Sequence, residues 1–319
     1  MAHEICEEKI MYVGQRPWHN LGTELQNPAT SREAIQAAGL DYDVSLTKVH
    51  TEYETIDNVM ATIRVDNGRT LGLVSEKYKI FQNRECFDFF DNVVGDKLAM
   101  YEVAGALGKG ERVWLLAKLP NNIIVYKDDV VEKYLCLTNS HNGKSALKMY
   151  YTPVRVVCQN TLTMSLSDAG DGISIRHSGD LQANIKEAKR ILGLSLNFYE
   201  AFEQQAQHLV KYQMTANRLD RYFNTVIFGR DTVVAEDTKG MQKKSTLEIL
   251  FEHGKGNSLP GVKGSAWAAY NAVTEMVDYH STIRGLEADP SNRLKNIWFG
   301  TGAKFKSDAF ATIMQLTKD

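Results

Sequence analysis

Two lysines, two tyrosines and an arginine fall within twelve residues: Lys144, Lys148, Tyr150, Tyr151 and Arg155. Cations to meet phosphates and aromatic faces to stack bases are what a single-stranded nucleic acid asks of a protein. Arg176 and His177 add to the mixture downstream. Gln159 and Asn160 can bind a backbone or base edges, or equally cap a sheet edge. From Lys133 to Ser167 there is no Asp or Glu, and Lys133, Lys144, Lys148 and Arg155 give the window a formal charge of +4 in a chain of −2. A local excess of that kind is a candidate anion-binding surface. The same residues fit a half-buried strand and a solvated loop equally well. With a net charge of −2, acidic surface must offset any basic groove, and Glu85, Asp88, Asp91, Asp96 and Glu102 supply some of it.

Other chemistries have weaker support. Thr138 to Ser145 ends in Gly-Lys-Ser like a phosphate loop, but Thr138 stands where the first glycine belongs and no helix-forming stretch follows. Ser140-His141 and His177-Ser178 are adjacent pairs, which rarely point at each other, without a strand–turn–helix setting for a nucleophile. Asp128-Asp129, Asp168 and Asp171 lie in turn-rich text and read as turn formers rather than metal ligands. The four cysteines, Cys6, Cys86, Cys136 and Cys158, are far apart and read as free buried thiols. No cofactor motif and no zinc-ligand spacing emerges from the histidines.

The elements that must position these residues can be read from periodicity. Ile10–Val13 reads as a strand, and Ser31 caps a helix over 32–38 that Gly39 closes. Trp18 and His19, between Pro17 and Gly22, read as an aromatic plug or a partner contact. Period-two runs at 44–49, 60–65 and 71–74 predict strands, the last two joined by Asp66-Asn67-Gly68. Asn83 caps a helix over 84–94 with Cys86, Phe87, Phe89, Phe90 and Val93 on its apolar face. Strands over 100–107 and 112–119 form a hairpin on Gly-Lys-Gly-Glu, and 123–126 and 134–137 add two more. A helix over 153–166, begun by Pro153, is expected to cover this meander, because Val154, Val157, Cys158, Thr161, Leu162 and Ser165 recur at helical spacing. Helical periodicity then runs from Asp180 to Phe228, with breaks expected at Gly193 and Thr215. Residues 229–244 read as an exposed loop, followed by helices over 245–253, 265–281 and 307–316.

The fold class expected is therefore α+β: an antiparallel β-meander covered by helices, then a mostly helical C-terminal half, divided into a core domain over 1–178 and a helical region over 179–319. Length, 43% hydrophobic and 24% charged residues belong to an ordinary soluble protein. No apolar run reaches the roughly 18–20 residues of a membrane helix, and the charged start, MAHEICEEKI, is no signal peptide. A cytoplasmic location is expected.

Four blocks carry a resemblance: Pro17-Trp18-His19-x-Leu21-Gly22, Asn139-Ser140-His141-x-Gly143, Arg155-Val-Val-Cys-Gln-Asn-Thr-Leu162, and Gly264-Ser-Ala-Trp267-x-Ala-Tyr270-Asn-Ala-Val-Thr-Glu275. Together they resemble a family of phage and plasmid-like proteins catalogued as domain of unknown function 932, over nearly the whole chain. Lys144 departs from the small or polar residue expected after Gly143. The resemblance implies a mobile element inside a bacterial host. Phages commonly carry single-strand annealing proteins with a β-meander, a helix, a basic groove and rings or filaments of subunits, an analogy of fold only.

The leading expectation is a non-enzymatic protein that binds and anneals single-stranded DNA. Lys144, Lys148 and Arg155 would hold phosphates and Tyr150 and Tyr151 would stack bases. The helices over 180–228 would build a homo-oligomeric ring or filament. Two alternatives stand beside it. A host-takeover or anti-defence protein would show an exposed aromatic patch near Trp18 or Trp267. A metal-dependent enzyme on nucleic acid would use Asp128, Asp168 or Asp171.

Overall fold

The structure is a computed structural model that describes residues 5–13, 23–26, 30–94, 100–155, 160–161, 173–178, 185–231, 237–282 and 292–318. Among them are a nine-stranded sheet, a three-stranded sheet and eight α-helices. The class is α+β, with the strands in the N-terminal half and most of the helices in the C-terminal half.

The chain enters the large sheet at once. β1 (Ile5–Val13) lies antiparallel to β6 (Met100–Leu107) and parallel to the short β2 (Thr23–Leu25). Helix α1 (Ser31–Ala37) is capped by Thr30, not Ser31: Thr30 and Glu33 form a reciprocal capping box. The small sheet follows, β3 (Val44–His50), β4 (Thr55–Arg64) and β5 (Thr70–Ser75), with the expected turn at Asp66-Asn67-Gly68. α2 (Asn83–Val94) buries Cys86, Phe87, Phe89 and Phe90, as its apolar spacing requires.

β6 then pairs with β7 (Arg112–Lys118), β7 with β9 (Asp129–Ser140) and β9 with β10 (Leu147–Arg155), while β8 (Ile123–Tyr126) pairs with the start of β9. Two short strands share the outer edge of β10, β12 (Ile173–Ile175) at its beginning and β11 (Asn160–Thr161) at its end. The expected covering helix over 153–166 is therefore corrected: 153–155 continue β10 and 160–161 form β11. Both faces of β10 are covered, so its apolar residues do not alternate cleanly, and an unbroken apolar run cannot be told from a buried helix by periodicity. Neither β11 nor β12 reaches Pro153 on the outer edge, where a missing N–H is tolerated.

Strand alternation sorts the large sheet's side chains into two layers. Ala104, Leu115, Leu137, Leu147 and Met149 face α1 and α2. Tyr12, Trp114, Leu116, Cys136 and Val154 face the other way. There Trp298 of α7 (Asn292–Phe299) meets Trp114 edge to face, with ring centroids 4.8 Å apart. Sequence reading missed α7.

The C-terminal helices surround α6 (Ala266–Glu275), all ten residues of which are buried. α3 (Ile185–Lys211) runs unbroken through Gly193. α4 (Ala216–Phe228) starts at Thr215, as expected, with its side chain accepting from the Arg218 N–H. α5 (Thr238–His253) begins inside the stretch expected to be a loop, and Lys244 is buried there, paired with Asp220. α8 (Thr301–Leu316) completes the bundle. This core also takes in Ile123, Val125 and Val131 from β8 and β9. The Trp267 indole donates to Asp129 Oδ2 at 2.8 Å, so packing is continuous across the expected boundary at 178/179. Gly261, at φ +85°, lets the loop before α6 lie on the Tyr126 ring, which a Cβ would strike.

Candidate functional site

The turns β6–β7 and β9–β10 lie at one end of the large sheet, since Arg112 pairs with Ser140 and Lys148 with Thr138. On the outer edge Lys148 lies opposite Ser174, and Arg176 follows β12 directly. Diagonal neighbours on one face of such a ladder are about 7–8 Å apart, so Lys148 and Arg176 are brought together, with Lys144 in the adjoining turn. His177 brings in a further cation. Its ring lies between Tyr78 and Phe81, with centroids at 4.6 and 4.7 Å, and the Lys79 N–H donates to its carbonyl. Lys79, Lys144, Lys148 and Arg176 are all exposed. Among the described residues, none of these four side chains makes an ion pair or hydrogen bond. Sequence reading missed Lys79, sixty-five positions before Lys144; only the stacked His177 places it here.

The other expected site residues are dispersed. Tyr150 and Tyr151 are consecutive in a strand and point to opposite faces. The Tyr150 hydroxyl is enclosed against Cys136 Sγ at 3.1 Å, and burial, with Cys136 beside it, pushes that phenol well up. Tyr151 packs on Phe198 and Tyr199 of α3, with centroids at 5.2 and 5.8 Å. Both rings are half-buried, and they lie on opposite faces of β10 rather than side by side, which corrects the expected stacking pair. Arg155 is seven residues from Lys148 along β10, roughly 23 Å away at about 3.3 Å per residue. Its backbone pairs with Asn160 there, so the helix expected to bring it near the turn is absent. Gln159 lies outside the described residues. His177 is 7% exposed, with Nδ1 against the Lys79 carbonyl at 3.0 Å; it is a wedge rather than a contact for a ligand.

The Asn139-Ser140-His141 block is also structural. All three residues are wholly buried. Asn139 donates to the Phe81 carbonyl, Tyr78 donates to the Ser140 carbonyl, and Thr62 of β4 donates to the His141 carbonyl. These bonds fix the small sheet onto the large one. Gly72 of β5 passes so close to Asn142 that a Cβ would collide with its backbone.

Further along the sheet's outer face, Lys118 pairs with Glu132 and lies 3.7 Å from Glu102, and the Tyr134 hydroxyl stands between the two carboxylates with one proton to donate. Burial raises the Glu102 carboxyl against the opposing pull of Tyr134 and Lys118. Lys118 offsets one of the two carboxylates, so the outer face is acidic here and basic at the turns.

Trp267 is fully buried and cannot be the exposed contact expected of a host-binding protein; Trp18 lies outside the described residues. Asp128 is exposed in the β8–β9 turn, and Asp168 and Asp171 lie outside the described residues. Among the described residues, no three His, Cys, Asp or Glu side chains gather in a way that could hold a metal ion. Cys86 and Cys136 are free and buried. Burial pushes the Cys136 thiol up to about 12 and the Cys86 thiol well up. No helix among the described residues is long and apolar enough to cross a membrane.

The fold defines a mixed α+β protein in which β8 and the start of β9 pack into the core of the helical bundle. A family model, domain of unknown function (DUF932), matches residues 70–298, and the chain belongs to that family. The match begins at β5 and ends at Trp298, so it spans the sheet meander and most of the bundle. No curated protein and no solved structure matches the chain.

Proposed function

We propose that this protein binds single-stranded DNA along the turn end of its large sheet, in a non-enzymatic annealing role for a phage or other mobile element. One observation carries the reading: Lys79, Lys144, Lys148 and Arg176 are exposed together at one sheet end without ion-pair partners among the described residues. With the two tyrosines half-buried on opposite faces of β10, the contact is led by phosphates and tolerant of base sequence. Four phosphate contacts give a log–log salt slope of about −3, at about −0.7 per contact on a single strand. Tyr199, Phe202 and Leu209 of α3 and Tyr222 and Phe223 of α4 are buried within the chain, so these residues would not build a ring or filament.

The test is fluorescence anisotropy of a labelled single-stranded oligonucleotide at several salt concentrations, with Lys148→Glu/Arg176→Glu alongside. Salt-dependent binding that the double variant loses supports the reading. Affinity unchanged by salt or by the variant removes it.

A second reading, recognition of a host protein, is favoured by the small sheet. Tyr53, at the tip of the β3–β4 hairpin, is 93% exposed, and Leu73 and Val65 are largely exposed as well. Capture of one host protein by the wild type, lost in Tyr53→Ser/Leu73→Ser, is the result that would favour it.

A further inference from the structure

The helical bundle holds a cleft of about 960 Å³, away from the sheet end described above. One wall is the beginning of α5, with Lys239, Gln242, Lys243 and Thr246. The opposite wall is Asn296, Thr301 and Phe305. The floor is a π-helical turn, Met276–His280, that continues α6. Such turns recur at functional sites because the extra residue re-aims the side chains around it. Here Met276, Val277 and His280 line the cleft, while Asp278 is turned inward to the buried Lys306 at 2.8 Å.

The lining has one sign. Lys239 and Lys243 are exposed and make no ion pair among the described residues, and the described residues lining the cleft include no Asp or Glu. The two lysines are four residues apart on one face of α5, where like charges repel. Lys239 also stands in the first helical turn, which has no acidic residue; a cation there opposes the helix dipole. Asp237 caps the same turn through the Gly240 N–H; among the described residues neither lysine has a carboxylate partner, and a bound anion offsets both costs. Thr246, Ser281, Thr282, Asn296 and Gln242 add hydrogen-bonding groups around an apolar floor of Met276, Val277 and Phe305. Volume, charge and floor together match a small ligand with an anionic end and a flat apolar part.

We propose that this cleft binds a phosphate monoester of nucleotide size, with Lys239 and Lys243 on the phosphate and Met276, Val277 and Phe305 against the base. It stands apart from the sheet-edge reading and does not depend on it. The shared chemistry, a terminal phosphate on a nucleoside, comes from a free nucleotide or from the 5′ end of a strand.

Isothermal titration calorimetry of the full chain with AMP and with adenosine tests it. AMP is expected to bind at least about ten-fold more tightly than adenosine, and Lys239→Glu/Lys243→Glu to weaken AMP about ten-fold or more, as loss of charge-assisted hydrogen bonds requires. Thr301→Glu, which places a negative charge on the opposite wall and suits a helix start, is expected to weaken AMP similarly, so the result does not hang on one variant's folding. Lys148→Glu/Arg176→Glu is expected to leave AMP affinity unchanged. A 5′-phosphorylated dinucleotide that binds about ten-fold more tightly than AMP identifies a strand end as the source; equal affinity identifies the free nucleotide. Equal binding of adenosine and AMP, no heat with AMP at millimolar concentration, or full AMP affinity in both wall variants would each overturn the proposal.

Discussion

His141 shows how far a single side chain can be committed to folding. Its Nε2–H donates to Asn83 Oδ1 at 2.8 Å, and the Asn83 amide donates in turn to the Leu40 carbonyl. Nδ1 is buried without a partner. Burial first, and His177 second, hold this imidazole down at about 3. Its folded-state value lies below the unfolded one of about 6.5, so the unfolded chain binds the proton more readily. The resulting stability is fully present above about pH 6.5 and drains as pH falls toward 3. Urea midpoints between pH 7 and 4 should therefore fall steeply in the wild type and less steeply in His141→Gln, and parallel slopes would refute this. Tyr151 belongs to the same scale. Its ring joins β10 to α3, so Tyr151→Ala should cost about 2–4 kcal/mol of stability. If instead it weakens DNA binding with stability unchanged, the tyrosine is a ligand contact after all.

Among the elements, α6 and its π-helical turn hold the bundle together. Ser265 caps the helix, Trp267 reaches Asp129 of β9, and Glu275 accepts from the Lys255 N–H at 2.9 Å. Beyond it, Lys306 of α8 and Asp278 form an ion pair at 0% and 3% side-chain exposure. Burial lowers the Lys306 ammonium, and Asp278 opposes that shift. Removing one partner takes the counter-ion from the other's buried charge. Lys306→Ala should cost about 3–5 kcal/mol in chemical denaturation, and Lys306→Met/Asp278→Leu should recover most of it. Equal loss in both variants would mean that the pair acts through more than mutual neutralisation.

Across the whole molecule, sheet and bundle depend on each other. Ile123, Val125 and Val131 are at most 3% exposed because the helices cover them. A fragment ending at residue 178 uncovers them and strips Asp129 of its indole donor. That fragment should show no cooperative unfolding transition by circular dichroism. A sharp transition near that of the full chain would establish two independent units with a boundary at 178/179.

Local chemistry alone determined a good part of this protein. Asp66-Asn67-Gly68 and Gly-Lys-Gly-Glu specify their turns through backbone conformations few other residues adopt, Thr215 specifies a helix start, and the spacing of Phe87, Phe89 and Phe90 specifies a buried helix face. Those signals span only a few residues, so no tertiary contact is needed to read them. Tertiary structure decided the path of 153–161, because a strand covered on both faces loses the alternation that would reveal it. It also decided the site. Lys79 is placed at the end of the sheet that carries Arg176 only through the stacked His177, Tyr150 and Tyr151 part company only once β10 is a strand, and Lys239 and Lys243 face a cleft only once α8 packs opposite α5. Each outcome depends on packing between segments distant in the chain, and sequence spacing carries no record of that packing.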